Sequence, residues 1–246
     1  MHGRAPVVAA ISSLSTAGAV RLAKDAEQAG CDGLMVLPPY VYSSDWREMR
    51  AHVAAILQAT PLSCTLYNNP IAYRTDFLPE QIAELAASHE NLQAVKESSA
   101  DLRRIAAIRS LPDLIPDRLS ILVGVDDAIV EGIAAGAVGW IAGLVNAFPA
   151  ESVALFHLAR TGKHDEAFEL YRWFLPLLRM DTVPKFVQLI KWVQQEVGVG
   201  AARVRPPRLE LEGDELADAR RTLQRALAAR PPIAAGNFAS SVGANT

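Results

Sequence analysis

The chain has 246 residues, half of them hydrophobic and 21% charged, with 24 basic against 27 acidic side chains and a net charge of −3. That composition excludes a disordered polyelectrolyte, and the even scatter of charge excludes the electrostatic footprint of a nucleic-acid or anionic-membrane binder. A small-molecule partner is left, together with enough length to bury a large single core.

In chain order, short apolar runs alternate with longer amphipathic stretches. Val7–Ile11, Leu34–Leu37, Leu62–Tyr67, Leu92–Lys96, Leu119–Val123 and Val138–Ala142 have the length and composition of buried parallel strands. Between them, Thr16–Ala29, Asp45–Ala59, Pro79–His89, Asp101–Ser110 and Asp126–Ala135 carry helical spacing, several starting at a Ser, Thr or Asp suited to cap free amides. After Phe148 the rhythm changes. Ala150–Arg160, Asp165–Leu178, Pro184–Val197 and Asp214–Ala229 are predicted helices with no strand between them, an annex broken at Gly162, Pro184, Gly198–Gly200 and Pro206-Pro207. The predicted organisation is a barrel portion over 1–148, a helical annex over 149–230 and a loose tail over 231–246.

Six strands crossed over by helices fit either an open doubly wound sheet or part of a (β/α)8 barrel. No G-x-G-x-x-G follows a strand, which removes the main support for the open dinucleotide-binding sheet, so an α/β barrel with six visible strands is expected. Cys31 and Cys64 are too few for a disulfide framework or a four-ligand zinc site, and both lie in apolar runs that read as buried strands. The amino terminus has no signal-peptide core, and no apolar run reaches membrane-spanning length, so a cytoplasmic protein is expected.

Lys96 closes a core strand, where alternation places it with Ala94 only imperfectly. A lysine at the carboxyl end of a barrel strand sits where barrel active sites lie, and burial there would depress its pKa from about 10.4 toward the range of an amine nucleophile. Tyr67 closes the preceding strand, sharing a face with Ser63 and Thr65. Adjacent strands are about 4.8 Å apart, so phenol and amine can project into one cavity mouth, the phenol relaying protons during imine formation. Taken singly, each side chain has a plain structural alternative: a rim lysine paired with Glu97, and a tyrosine packed with its hydroxyl on backbone.

The segments Tyr67-Asn68-Asn69-Pro70 and Val95-Lys96-Glu97-Ser98-Ser99, with Pro38-Pro39-Tyr40, Gly124-Val125-Asp126-Asp127 and Gly136-Ala137-Val138-Gly139 leading to Val145-Asn146, resemble the dihydrodipicolinate synthase/N-acetylneuraminate lyase family in order and spacing. The resemblance runs from about Pro6 to Leu227. It implies a (β/α)8 barrel with a carboxy-terminal helical annex, assembled as a homo-oligomer, dimer or tetramer, and beginning here at the family's third strand. It implies class I chemistry without metal or organic cofactor: Lys96 forms an imine with pyruvate or another 2-oxo acid, Tyr67 relays protons, and Tyr40, Gly124, Ile141 and Asn146 line the substrate.

Three departures from the family pattern accompany it. The Gly-Thr-Thr-Gly-Glu-like segment that holds the substrate carboxylate has no counterpart. The arginine of the synthase branch two residues past the Tyr-Asn-x-Pro proline is Ala72, with Arg74 two positions on. The tyrosine that branch places across the dimer interface is Val41, beside Tyr42. These departures favour a catabolic aldolase, dehydratase or deaminase over 4-hydroxy-tetrahydrodipicolinate synthase proper, the remaining alternative being a shortened, non-catalytic barrel subunit.

Elsewhere the bland reading prevails. Asp126-Asp127 reads as a helix cap, and His2, His52, His89, His157 and His164 stand at no ligand spacing and mostly on solvated helix surfaces. Trp173 and Phe174, with Leu177 and Leu178, read as annex core.

Overall fold

The computed structural model describes residues 3–42, 44–111 and 118–233. Six parallel strands, β1 (Val8–Ile11), β2 (Gly33–Val36), β3 (Ser63–Asn68), β4 (Leu92–Glu97), β5 (Ser120–Val123) and β6 (Gly139–Trp140), pair in sequence order. Every predicted strand is present. The last is the shortest, two residues in place of the expected Val138–Ala142, because after Trp140 the chain turns into a 3₁₀ turn over Leu144–Asn146.

The helices between strands are α1 (Thr16–Gln28), α2 (Trp46–Leu57), α3 (Pro70–Tyr73), α4 (Pro79–Ser88), α5 (Arg103–Arg109) and α6 (Ile129–Ala134). Two of their starts follow the capping logic of the sequence: Ser15 Oγ accepts from Gly18 N at 3.2 Å, and Asp45 Oδ1 accepts from Glu48 N at 2.9 Å. Asp126 does not cap. It lies in a 3₁₀ turn over Asp126–Ala128, and its buried carboxylate accepts instead from Gly143 N at 3.0 Å and Leu144 N at 2.7 Å.

The chain divides into two compact units, residues 1–124 with 135–139, and residues 125–134 with 140–246. In the first, one face of the sheet is buried: Leu34, Val36, Cys64, Leu66, Val95 and Ile121 are all at 0% exposure, and Val53, Ile56, Ile82 and Ile105 of the helices are buried with them. The alternate residues Met35, Thr65, Tyr67, Ala94, Lys96, Ser120 and Leu122 are half-buried. Cys64 is on β3, buried as expected, whereas Cys31 falls in the turn before β2 and is half-buried, because β2 begins only at Gly33. His52, on α2, is buried rather than solvated, its Nδ1 2.9 Å from Thr16 Oγ1.

The second unit contains α7 (Pro149–Arg160), α8 (His164–Leu178), α9 (Phe186–Glu196) and α10 (Gly213–Ala228), the four predicted annex helices. Phe174, Leu177 and Leu178 are fully buried; Trp173 is half-buried, stacks on Phe174 at 5.2 Å and donates through Nε1 to Ala226 O. Of the predicted loose tail, residues 231–233 belong to no helix or strand, and 234–246 lie outside the described residues. No described helix is long and apolar enough to cross a membrane.

Candidate active site

The sequence explains poorly why Lys96 and Tyr67 share a face, since simple alternation along β4 fails. Register supplies the reason. Cys64 pairs with Leu92 and Thr65 with Ala94, so Gln93 is an extra, bulged residue. The bulge shifts the phase of β4, burying both Leu92 and Val95 on the helix side and turning Ala94 and Lys96 to the face of Thr65 and Tyr67.

Tyr67 and Lys96 are direct register partners at the carboxyl ends of neighbouring strands. The Lys96 ammonium lies over the Tyr67 ring, 4.4 Å from its centroid. The Tyr67 hydroxyl accepts from Asn69 Nδ2 at 2.9 Å, which fixes its orientation and leaves its own proton free to be donated. Tyr73 meets Tyr67 edge-on at 5.8 Å and lies tilted against Tyr40 at 5.7 Å, and Tyr40 Oη is 3.0 Å from Ser12 Oγ. The result is a row of three tyrosines leading away from the amine.

Gly124 follows β5 beside this pair. A methyl group there would stand 2.8 Å from the Cγ and Cε atoms of Lys96, so only glycine lets the lysine chain run past this backbone. Ser98, two residues beyond Lys96, is buried, and its hydroxyl has no hydrogen-bond partner among the described residues. A methyl at Gly124 would collide with that hydroxyl too.

Behind the pair, on the helix side, a polar clamp ties the same two strands. The fully buried Asn68 donates through Nδ2 to Glu97 Oε2 at 2.9 Å and accepts from Phe77 N at 3.0 Å. Glu97 Oε1 accepts from Ser99 N at 2.7 Å. Burial pushes the Glu97 carboxyl above the usual carboxylate range, against the opposing pull of its hydrogen bonds from Ser99 and Asn68 and the nearby Arg104 charge. Arg104 grips Asp76 with two bonds, at 2.8 and 2.6 Å.

The first unit thus brings together Lys96, Tyr67, Gly124 and, through Tyr73, Tyr40. Ile141 and Asn146 are positioned by the second unit, on the loop that Asp126 holds: Ile141 is half-buried just after β6, and Asn146 is exposed, its Nδ2 donating to Gly143 O at 2.8 Å. Sequence reading missed Tyr73, and it quoted Asn69 and Ser98 within the motifs without giving either a role. Tyr73 sits in a helix of four residues, too short to leave a periodic signal. Among the described residues no three His, Cys, Asp or Glu side chains gather as a metal cluster.

Residues 1–226 match the Dihydrodipicolinate synthetase family. Similar proteins include the 4-hydroxy-tetrahydrodipicolinate synthases of Clostridium tetani (28% identical, over 88% of this chain and 72% of the relative) and Geotalea daltonii (33%, over 73% and 60%). The chain spans about three fifths of the length of the Geotalea relative. Among solved structures, the Methylacidiphilum fumariolicum 4-hydroxy-tetrahydrodipicolinate synthase is 28% identical with a TM-score of 0.86, covering 92% of this chain and 75% of that one. The Thermotoga maritima dihydrodipicolinate synthase is 25% identical with a TM-score of 0.85, covering 92% and 76%. These relatives have the (β/α)8 barrel fold, of which the six parallel strands here are a part. With residues 1–226 matching the family and Lys96 and Tyr67 paired at the ends of adjacent strands, the chain belongs to the dihydrodipicolinate synthetase family.

Proposed function

We propose that the chain is a class I, Schiff-base lyase or synthase acting on pyruvate or another 2-oxo acid, with Lys96 as nucleophile and Tyr67 as proton relay. The observation that carries the reading is the register pairing of the two residues, with the amine 4.4 Å from the phenol ring. In this mechanism the neutral amine attacks the ketone carbon, and the carbinolamine loses its hydroxyl as water with a proton delivered by the phenol. The imine then draws electrons from the neighbouring carbon, whose proton is lost to give an enamine. That enamine adds to an aldehyde, or in the reverse sense a carbon–carbon bond breaks to form it.

The chemistry is tested by adding sodium borohydride to the folded protein with pyruvate. The expected product is Lys96 heavier by the mass of pyruvic acid less one oxygen, absent in Lys96→Ala. An unmodified Lys96 in the folded protein overturns the reading.

For the substrate, Ala72 supports a catabolic aldolase, dehydratase or deaminase, because no cation stands at the position where the synthase branch carries its arginine. Its backbone N–H is taken by Asn69 Oδ1, at 3.0 Å. The names of the relatives favour a second reading, 4-hydroxy-tetrahydrodipicolinate synthase itself. Turnover of pyruvate with aspartate 4-semialdehyde decides for the synthase; trapping with pyruvate but no condensation with that aldehyde decides for the catabolic class.

A further inference from the structure

The second compact unit contains a hollow of about 570 Å³ at which four cations meet: Lys191 of α9, and Arg203, Arg205 and Arg208 of the loop that follows it. Val187, Val204 and Pro206 supply the apolar part of the lining. None of the four cations has a carboxylate or hydrogen-bond partner among the described residues. In the same unit, among the described residues, Lys163, Arg179, Lys185, Arg221 and Arg230 each reach a carboxylate while Arg160, Arg172, Arg220 and Arg225 do not, so what sets these four cations apart is that they meet at one hollow. They gather although the chain as a whole is acidic, at −3.

The loop that presents the arginines is anchored. Ala202 N donates to Gln195 Oε1 at 3.1 Å, and Arg208 N donates to Arg205 O at 3.2 Å. Like charges gathered round one concavity repel one another, and an anion seated among them removes that repulsion. Guanidinium groups also offer paired N–H donors that match the oxygen pairs of phosphate and carboxylate, which a lone ammonium does not. The lining holds no aromatic ring on which a nucleobase would stack, and its concave form suits a small ligand rather than a strand.

We propose that this hollow is a binding site for a compact polyanion of three or more charges, a phosphate ester or a polycarboxylate. The site is independent of the Schiff-base reading, since none of its residues belongs to the lysine–tyrosine machinery. The test uses the full chain, titrated calorimetrically with tripolyphosphate and, separately, citrate, with sodium chloride at matched ionic strength as control and thermal unfolding followed in parallel.

Saturable binding of one anion per chain is expected, with a raised unfolding midpoint that sodium chloride does not reproduce. Arg203→Ser with Arg208→Ser, both exposed, should weaken that binding by roughly tenfold or more, and Lys191→Gln should weaken it separately. Neither variant should alter borohydride trapping at Lys96. Tighter binding of tripolyphosphate assigns the site to phosphate esters, tighter binding of citrate to polycarboxylates. Absence of saturable binding, or equal affinity in wild type and both variants, overturns the proposal.

Discussion

Gly124 decides how Lys96 is seated. Because a methyl group at this position would stand only 2.8 Å from two carbons of the lysine chain, Gly124→Ala must displace either the backbone after β5 or the amine. We expect a loss of about 1–3 kcal/mol of stability, the usual scale of overpacking, together with slower borohydride trapping at Lys96. Urea unfolding and timed trapping measure the two separately, and trapping at the wild-type rate would show that Gly124 has no part in seating the amine. Tyr67→Phe keeps the ring under the ammonium and removes only the hydroxyl. It should slow imine formation by about 10²–10⁴, the range of a positioned acid–base group, while the pyruvate concentration for half-maximal trapping changes little.

At the scale of the elements, β3 and β4 are joined twice at their carboxyl ends, by the ladder and by the Asn68–Glu97 clamp on the helix side. Asn68→Ala leaves the Glu97 carboxyl and Phe77 N–H short of partners in a buried place. A loss of about 1–3 kcal/mol is expected, toward the upper end because a carboxyl is among the orphaned groups; denaturant midpoints check it. In α2, burial holds the His52 imidazole below its ordinary value of 6.5. The unfolded chain therefore takes up a proton first as pH falls, so this residue's contribution to stability is intact above about 6.5 and is lost as pH drops from there through the folded value. His52→Asn, which retains a partner for Thr16 Oγ1, removes the titration. The stability difference between wild type and variant should therefore shift against the wild type below about pH 6.5, as unfolding free energies measured from pH 8 to pH 5 would show. The strands and most helices were legible because their apolar periods are long enough to count. The β4 bulge and α3 were not, since a single extra residue and a single helical turn leave no period.

At the scale of the whole molecule, the chain is made of two compact units. In the second, Arg230 reaches back to Glu151, a carboxylate at 1% exposure, while its guanidinium lies 5.4 Å from the Phe148 ring. Arg230→Ala leaves that charge buried without its partner and should cost roughly 3–5 kcal/mol, with Glu151→Gln in the same chain recovering part of the loss; thermal or denaturant unfolding decides it. In the first unit, among the described residues, β1 pairs with β2 alone and carries the exposed Val8, with exposed Val7 just before it.

The sequence by itself determined the alternation of strand and helix, the helical annex after Phe148 and the motif that places a tyrosine and a lysine at successive strand ends. Those follow from local period and residue type, which are written along the chain. Only the tertiary structure decided that a bulge at Gln93 turns Lys96 to the Tyr67 face, that Asp126 holds the loop at Gly143 rather than capping a helix, and that Gly124 clears space for the lysine. It also decided that Lys191 meets three arginines at one hollow. Each of these is a contact between residues distant along the chain, set by register and packing, and no local pattern of side chains encodes such a contact.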